Sequence, residues 1–211
     1  MRAVVCDLDG TLVDSADDIV ASVRHALGLG GNAVPDAAEV RAWIGRPLPE
    51  ILAHYAPAAD IPALVEAYRA HYWEHCTDRT RVFDGVPEAL TALRRDGWRI
   101  AVATAKRTDL ATHVCATVGL GPLVDRVQGI DGLPGKPAPD VVLAALAGLE
   151  VAPSRASWMV GDTTDDVAAG RAAGLSTLGV TTGTHDRTTL EAAGADLVAE
   201  RLDAILEQVR R

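Results

Sequence analysis

Two carboxylates follow directly after a short apolar run at the start of the chain. The run, Val4 to Cys6, is rich in β-branched residues, as expected of a buried parallel strand. Asp7 and Asp9 come next, and residues two apart along a strand place their side chains on one face. Two such charges are unfavourable together unless a cation lies between them or one carboxyl group holds a proton. The stretch therefore predicts a metal site, an acid/base pair, or both.

Three further loops carry polar residues of matching chemistry. The loop from Thr104 to Lys106 follows a second apolar run, and the loop from Gly161 to Asp166 follows a later one. Between them lies Gly135 to Pro139, which contains Lys136. If the apolar runs are parallel strands, their carboxyl ends share one edge of a sheet, which is where open α/β sheets bind ligands. We therefore expect all these groups to gather at one site.

The combined set of side chains suits phosphoryl transfer. Asp7, Asp162 and Asp166 offer hard oxygen ligands, which favour Mg²⁺ over zinc or copper. Lys136 would neutralise phosphoryl oxygens, while the Thr104 hydroxyl and the loop amides after the first strand would donate hydrogen bonds to them. One aspartate can attack phosphorus, and another can protonate the leaving oxygen and then activate water.

The distribution of lysine supports this interpretation. Of the 20 Lys and Arg residues, only Lys106 and Lys136 are lysines, and both fall in the loops assembled above. An ammonium group is a compact point charge that fits beside a phosphate and a metal better than a guanidinium group does. We expect Lys136 to contact the phosphoryl group and Lys106 to be a structural cation that pairs with a carboxylate.

The elements that must position these loops alternate from residue 83 onward. Helices alternate with strands predicted at 98–103, 124–127, 156–160 and 176–180, with a possible strand at 196–199. Alternating units of this kind build a parallel sheet covered by helices on both faces. The fold class predicted is therefore α/β, with a Rossmann-like three-layer core around a central parallel sheet.

The segment between the first strand and residue 81 lacks the alternation of strand and helix patterns. It contains only helical patterns, including a capping-box pattern from Ser15 to Asp18 and later helical pieces that begin near Pro35, Pro47 and Ile61. We interpret residues 15–81 as an all-helical domain, called the helical insert below. The catalytic core would then be discontinuous, comprising residues 1–14 and 82–211.

Composition narrows the class of partner. The net charge of the 211-residue chain is −9 and its sequence pI is about 5.1, which argues against a nucleic-acid or anionic-membrane binder. No stretch approaches the ~20 apolar residues of a membrane span, and no signal-peptide pattern is present. The 3 cysteines are widely spaced, as in reduced proteins. We expect a cytoplasmic enzyme for a small phosphorylated metabolite, and both a monomer and a homodimer are compatible with the sequence.

Four motifs in order resemble those of the haloacid dehalogenase superfamily. The first is Asp7 to Ser15 (DLDGTLVDS), the second contains Thr104 and Lys106, the third is the GKPAPD stretch around Lys136, and the fourth runs from Gly161 to Asp166. The helical insert resembles the C1-type cap of that superfamily. Within it, the first motif and Val180 to Gly183 (VTTG) resemble the phosphoglycolate phosphatase group most closely.

The resemblance implies a role for each matching position. Asp7 would be the nucleophile and Asp9 the acid/base, while Thr104 and Lys136 would hold the phosphoryl group. The Mg²⁺ ligands implied are Asp7, the backbone carbonyl of Asp9, and Asp162, with Asp166 acting directly or through water.

The positions expected to contact substrate are Leu8, Gly10, Ala105 and Arg46. Ala105 departs from relatives, which often carry Asn or Ser there, so a side-chain contact to phosphate is in doubt at this position. Arg46 follows Gly45 in the helical insert and resembles part of a specificity loop. It is either a solvated turn residue or a contact to a substrate carboxylate or phosphate.

Several functions fit these residues. The leading one is a Mg²⁺-dependent phosphatase for a small phosphomonoester such as phosphoglycolate, and the alternatives are a phosphomutase of the β-phosphoglucomutase kind and an inorganic pyrophosphatase. A signalling receiver domain is disfavoured because its accepting aspartate ends a later strand. His71 and His75 lie four apart on a predicted helix, as in some zinc sites, but no third ligand has suitable spacing, which favours an exposed helix face.

Overall fold

A central parallel sheet organises the computed structural model, which describes residues 1–209. The strands are β1 (Ala3–Cys6), β2 (Val13–Asp14), β3 (Arg81–Val82), β4 (Arg99–Ala103), β5 (Arg126–Gln128), β6 (Trp158–Gly161), β7 (Ser176–Val180) and β8 (Leu197–Ala199). Six of them form one sheet in the order β5-β4-β1-β6-β7-β8, and every neighbouring pair in it is parallel. The strand that carries the two carboxylates therefore lies inside the sheet, between β4 and β6.

Helices connect these strands and fill the insert. They are α1 (Ala16–Leu29), α2 (Ala37–Arg41), α3 (Leu48–Ala53), α4 (Ile61–His75), α5 (Val86–Arg95), α6 (Thr108–Thr117), α7 (Asp140–Gly148), α8 (Thr164–Ala172), α9 (Arg187–Ala192) and α10 (Ile205–Val209). Short 3₁₀ turns occupy Gly121–Leu123 and Leu202–Ala204. In the part of the chain that the structure describes, no helix combines the length and apolar character needed to cross a membrane.

The first strand is buried on both faces because alternate side chains enter different cores. Val4 and Cys6 join an apolar cluster that also contains residues of α5 and α6. Ala3 and Val5 join a second cluster, with residues of α7 such as Leu146. Helices therefore cover both faces of the sheet, and the predicted three-layer α/β architecture is confirmed.

A two-stranded ribbon at the base of the helical insert was not predicted. β2 and β3 pair antiparallel, Val13 with Val82 and Asp14 with Arg81, and helices α1–α4 lie between them. Two-residue strands are too short to show a periodic pattern, so they leave no signal in the sequence. The ribbon brings the two ends of the insertion together, while its domain limits of 15 and 81 stay a prediction.

The capping box predicted at the start of α1 is wrong. The Ser15 side chain makes no cap hydrogen bond, and its hydroxyl donates to Asp9 instead. The Asp18 carboxylate accepts hydrogen bonds from the backbone N–H groups of Arg79 and Thr80 and from the Thr80 hydroxyl. Both side chains therefore make contacts distant in sequence, which a local pattern does not reveal, and Asp18 ties the first helix of the insert to its last segment.

Candidate active site

Three neighbouring strands deliver the predicted residues to one edge of the sheet. Asp7 follows β1, Thr104 follows β4 and Asp162 follows β6. The backbone N–H of Asp7 donates to the Val160 carbonyl at 2.9 Å, which continues the strand pairing up to the carboxylate. All three side chains are buried, as are those of Lys136 and Asp166. The expected gathering of polar groups at the carboxyl edge is therefore what the structure shows.

Asp7, Asp162 and Asp166 form a group with the geometry of a metal site. One carboxylate oxygen from each lies within 4.8 Å of the others, and the side chain of Asp9 is outside this group. Burial raises the pKa of Asp7 to about 8, with Lys136 lowering it and the Asp166 charge raising it further. Burial and the Asp166 charge also raise the pKa of Asp162, to about 6. Such crowding of buried oxygen ligands fits a hard divalent cation such as Mg²⁺.

Lys136 is the cation built into this cluster. Its ammonium group lies 2.9 Å from Asp7 Oδ1 and 2.6 Å from Asp166 Oδ1, and it donates to the Ala103 carbonyl at 3.3 Å. Burial opposes its charge, but the carboxylates of Asp166 and Asp7 outweigh this and raise the pKa of Lys136 above its ordinary value. A permanently charged ammonium group therefore stands beside the proposed nucleophile.

Both carboxylate oxygens of Asp166 are hydrogen-bonded to other groups of the protein. Oδ1 binds Lys136, and Oδ2 accepts hydrogen bonds from the backbone N–H and the hydroxyl of Thr163, at 3.0 and 2.6 Å. With the return bond from the Asp166 N–H to the Thr163 hydroxyl, this is a capping box at the start of α8. Asp166 thus fixes Lys136 and the helix together, an arrangement that favours action on a metal through water.

Asp162 is held by a loop that the sequence did not flag as part of the site. The Thr11 hydroxyl donates to Oδ1 at 3.0 Å, and the backbone N–H of Thr184 donates to Oδ2 at 2.7 Å. Gly183 packs so closely on this carboxylate that a Cβ there would overlap it, as would a Cβ on Gly10, whose φ of +83° also favours glycine. Because β7 is parallel to β6, the loop after β7 also lies at the carboxyl edge of the sheet. The predicted sheet topology was therefore the signal that could have placed this loop in the site.

Asp9 is also hydrogen-bonded at both oxygens. The Ser15 hydroxyl donates to Oδ1, and the Lys106 ammonium group donates to Oδ2 at 2.5 Å. The pairing of Lys106 with a carboxylate, predicted from the sequence, is confirmed. The same ammonium group lies 5.1 Å from the centre of the Tyr72 ring, which belongs to α4 of the helical insert.

A cleft of about 490 Å³ opens between the helical insert and the core. Its core wall includes Asp7, Asp9 and the loop from Thr104 to Lys106, and its opposite wall includes Arg46 and Tyr68. Asp7, Asp9 and Thr104 therefore line this cleft together with Ala105 and Arg46, whereas Lys136, Asp162 and Asp166 lie behind its wall.

Leu8 and Gly10, two of the predicted substrate contacts, do not line the cleft. The Leu8 side chain is fully buried in the apolar core, which leaves only its backbone for a ligand. The Gly10 N–H already donates to the Val13 carbonyl at 2.8 Å, and the Gly10 carbonyl accepts from the Thr182 hydroxyl at 2.6 Å. Neither residue lies along the cleft wall, so their proposed contacts to substrate stay a prediction.

Arg46 differs from the other arginines at the cleft. Arg69 pairs with Glu66 at 2.6 Å, and Arg107 pairs with Asp109 at 2.7 Å. Arg46 is exposed, stacks on the Trp43 ring at 4.8 Å and makes no ion pair among the residues described. Its guanidinium group is therefore available to an anionic ligand in the cleft.

His71 and His75 do not build a second metal site. His71 stacks between His25 and His75, and its Nδ1 is 2.9 Å from the Ser22 hydroxyl. Within residues 1–209 these rings do not bring three ligand atoms together, and the aspartate cluster is the group that meets that condition. The expected exposed face is instead half-buried, because His71 packs against α1.

Comparisons with known proteins agree with the geometry. A family model described as haloacid dehalogenase-like hydrolase matches residues 4–180. A phosphoglycolate phosphatase of Cupriavidus necator is 36% identical, with 96% of this chain and 90% of that protein covered. A Mycobacterium tuberculosis protein named tyrosine-protein kinase PtkA is 37% identical, with 84% of this chain and 61% of that protein covered.

A solved structure extends the likeness to the whole fold. The crystal structure of a predicted phosphatase from Clostridium acetobutylicum superposes with a TM-score of 0.88 at 27% identity, covering 99% of this chain and 98% of that one. The matched segment begins in β1 and ends in β7, so it contains all four motifs and the insertion. On its sequence, its sheet order and its cluster of carboxylates, the chain belongs to the haloacid dehalogenase-like hydrolase family.

Proposed function

We propose that this hydrolase is a Mg²⁺-dependent phosphatase that cleaves a small phosphomonoester through an aspartyl-phosphate on Asp7. The observation that carries the proposal is the position of Asp7, which lies on the cleft wall within reach of a buried ammonium group and beside two further carboxylates. A carboxylate nucleophile needs its target oxygens neutralised, and this cluster supplies that neutralisation.

In the first half-reaction, a carboxylate oxygen of Asp7 attacks phosphorus as the bond to the leaving oxygen breaks. Lys136, 2.9 Å from Asp7 Oδ1, stabilises charge on the phosphoryl oxygens, and the buried Thr104 hydroxyl donates to them. Asp9, on the same wall, gives its proton to the leaving oxygen. The released product is the alcohol of the substrate.

In the second half-reaction, water attacks phosphorus and the bond from phosphorus to Asp7 breaks. Asp9, now ionised, accepts the proton of that water. Inorganic phosphate leaves, Asp7 regains its carboxylate, and Asp9 holds the proton needed for the next substrate. The two aspartates therefore have distinct tasks, and their two-residue spacing places both at the end of β1.

The residues that would hold Mg²⁺ are Asp7, Asp162 and the backbone carbonyl of Asp9, with Asp166 acting through water. When bound, the ion supplies positive charge that stabilises the phosphoryl oxygens during transfer. Asp162 is held for this purpose by the Thr11 hydroxyl and the Thr184 N–H.

The cleft favours a small substrate with a second acidic group. Its volume of about 490 Å³ suits a metabolite rather than a folded protein, and Arg46 lies on its wall without a carboxylate partner among the described residues. A carboxylate in the substrate would pair with that guanidinium group. The phosphoglycolate phosphatase named among the relatives acts on a molecule of this kind, and we propose phosphoglycolate or a similar compound here.

A substrate panel with purified enzyme tests this function. Phosphoglycolate, neutral sugar phosphates, nucleotides and pyrophosphate are compared with Mg²⁺ and after chelation with EDTA. We expect Mg²⁺-dependent phosphate release, fastest with small phosphomonoesters that carry a carboxylate. Preference for pyrophosphate, or transfer between two positions of one sugar without phosphate release, would instead identify a pyrophosphatase or a mutase.

A further inference from the structure

Lys106 is a buried cation that the mechanism above does not use. Its side chain and that of Asp9 are each only 10% exposed, and their ion pair has an N–O distance of 2.5 Å. Lys106 belongs to the loop after β4, whereas Asp9 belongs to the loop after β1, so the pair joins two neighbouring strands at the carboxyl edge. An ion pair this enclosed fixes the direction of both side chains.

The two hydrogen bonds to Asp9 come from different parts of the molecule. Ser15, which donates to Oδ1, stands at the entrance to the helical insert, immediately before α1. Lys106, which donates to Oδ2, comes from the core. During the reaction one Asp9 oxygen must face the leaving oxygen and later the water, and each carboxylate oxygen has a second lone pair available beside its hydrogen bond. The ammonium bond is the charge-assisted one and therefore the stronger.

The helical insert holds Lys106 from the other side. The ammonium group lies 5.1 Å from the centre of the fully buried Tyr72 ring, within the range of a cation–π contact. Tyr72 in turn stacks on Tyr68 at 5.3 Å, and Tyr68 lines the cleft. A compact ammonium group fits between a carboxylate and an aromatic face, where a planar guanidinium group would need a different arrangement.

We propose that Lys106 is a positioning residue that orients the Asp9 carboxylate to accept the proton of the attacking water. This inference rests on the proposed function. In the step concerned, the bond from water oxygen to phosphorus forms, the bond from phosphorus to Asp7 breaks, and one proton of the water passes to the Asp9 oxygen that Lys106 leaves free. Lys106 touches Asp9 and does not itself exchange a proton.

The test separates the two half-reactions with a nitrophenyl phosphate, whose leaving group departs as a stable phenolate and needs little help from Asp9. In Lys106→Met, we expect phosphorylation of Asp7 to stay fast and hydrolysis to slow. With Mg²⁺ present, kcat should fall about ten- to hundredfold, KM should fall with it, and kcat/KM should stay within about threefold. Rapid-mixing measurements should show a burst of close to one nitrophenolate per enzyme, larger than in the wild type.

Three further variants serve as comparisons for Lys106→Met. Lys106→Arg retains the positive charge and should recover part of the lost kcat. Tyr72→Phe keeps the ring and removes a hydroxyl without a hydrogen-bond partner among the described residues, so its kinetics should match the wild type. Arg107→Met removes a neighbouring cation of the same cleft, one already paired with Asp109, and should leave the burst as small as in the wild type.

Thermal unfolding checks each variant, and Lys106→Gln replaces Lys106→Met if the latter does not fold. Unchanged kcat, or a fall in kcat/KM equal to the fall in kcat with no burst, would show that Lys106 is only a structural link and would overturn the inference. Absence of Mg²⁺-dependent turnover in the wild type would overturn the proposed function, and the inference would fall with it.

Discussion

At the scale of single residues, the site contains several buried carboxylates whose negative charge is partly compensated by one buried lysine. Asp7, Asp162 and Asp166 lie close together, and the Lys136 ammonium group forms ion pairs with Asp7 and Asp166. Removing one partner of a buried ion pair typically costs about 3–5 kcal/mol, because it leaves an uncompensated charge. Lys136 therefore compensates part of the buried negative charge, and the excess that remains would suit a divalent cation.

Arg46 supplies the prediction that belongs to this scale. Arg46→Ala should impair a phosphoester with a carboxylate more than a neutral sugar phosphate, because only the former loses a charge-assisted hydrogen bond of about 1.5–3 kcal/mol. That corresponds to a fall in kcat/KM of roughly ten- to hundredfold for the carboxylated compound. Steady-state kinetics with the two substrates measure it.

Arg69→Ala is the matched control for this prediction. Arg69 lines the same cleft but already pairs with Glu66, so its loss should change the two substrates little and equally. Equal losses for both substrates in Arg46→Ala would remove Arg46 from substrate selection.

Residue types and spacing were enough to predict the charged part of the site. Asp7, Lys136 and Asp162 follow recognisable strands, and parallel strands bring their ends together. The sequence did not predict that the Thr11 hydroxyl and the Thr184 N–H hold Asp162. Hydroxyl and amide donors occur throughout any chain, so only the loop conformation shows which of them reach the metal-site carboxylate.

At the scale of elements, the loop after β7 is as much a part of the site as the three predicted strand ends. Gly183 lies against the Asp162 carboxylate with no room for a Cβ, although its φ is not in the left-handed region. Gly183→Ala should therefore act through steric overlap alone and displace Asp162. We expect a loss of about 1–3 kcal/mol in the free energy of unfolding and weaker Mg²⁺ binding.

Chemical denaturation and calorimetric titration with Mg²⁺ measure these two effects. Gly28→Ala, in the last turn of α1, is the control, because its Cβ would meet only an ordinary contact at 3.6 Å and alanine favours the helix. Gly183→Ala with the stability and Mg²⁺ affinity of the wild type would show that the loop does not position Asp162.

A second prediction for the elements concerns pH. Asp196 accepts hydrogen bonds from the N–H and hydroxyl of Thr177 in β7 and from Arg155. Burial opposes its charge, but these donors prevail and lower the pKa of Asp196 below its ordinary value. Its contribution to stability is therefore present above the unfolded-state pKa of about 3.9 and is lost as the pH falls through the lower folded value.

Asp196→Asn should consequently lower the free energy of unfolding at neutral pH and make it decline less between about pH 5 and pH 2. Urea denaturation at a series of pH values measures this difference. Parallel curves for the variant and the wild type would show that Asp196 does not contribute to the acid sensitivity of the fold.

The elements were predictable where they are long and periodic. The strand predicted at 98–103 agrees with β4 at Arg99–Ala103, and the alternation of strands and helices predicted the parallel sheet. The antiparallel ribbon of β2 and β3 was not predicted because each strand has two residues. The capping box at Ser15 was wrong because the Ser15 hydroxyl donates to Asp9 and the Asp18 carboxylate accepts from Thr80, and the local pattern reveals neither contact.

At the scale of the whole molecule, α4 links the helical insert to the core. The Tyr72 ring lies against the Lys106 ammonium group, and the next residue, Trp73, stacks on His113 of α6 with ring centres 4.3 Å apart. On the other side, the segment that carries Arg46 faces the core across the cleft. Two aromatic residues of α4 therefore contact the core next to the pair of Lys106 and Asp9, and the cleft lies between the Arg46 segment and Asp7.

The central claim is that Asp7 becomes phosphorylated, and trapping the intermediate tests it most directly. Enzyme mixed with Mg²⁺ and a nitrophenyl phosphate is quenched in acid within milliseconds, digested and examined by mass spectrometry. One phosphoryl group should appear on the peptide that contains Asp7, and it should be lost on treatment with hydroxylamine. Asp7→Asn should remain folded and show neither label nor turnover, whereas a turning-over Asp7→Asn, or a label on another residue, would contradict the account.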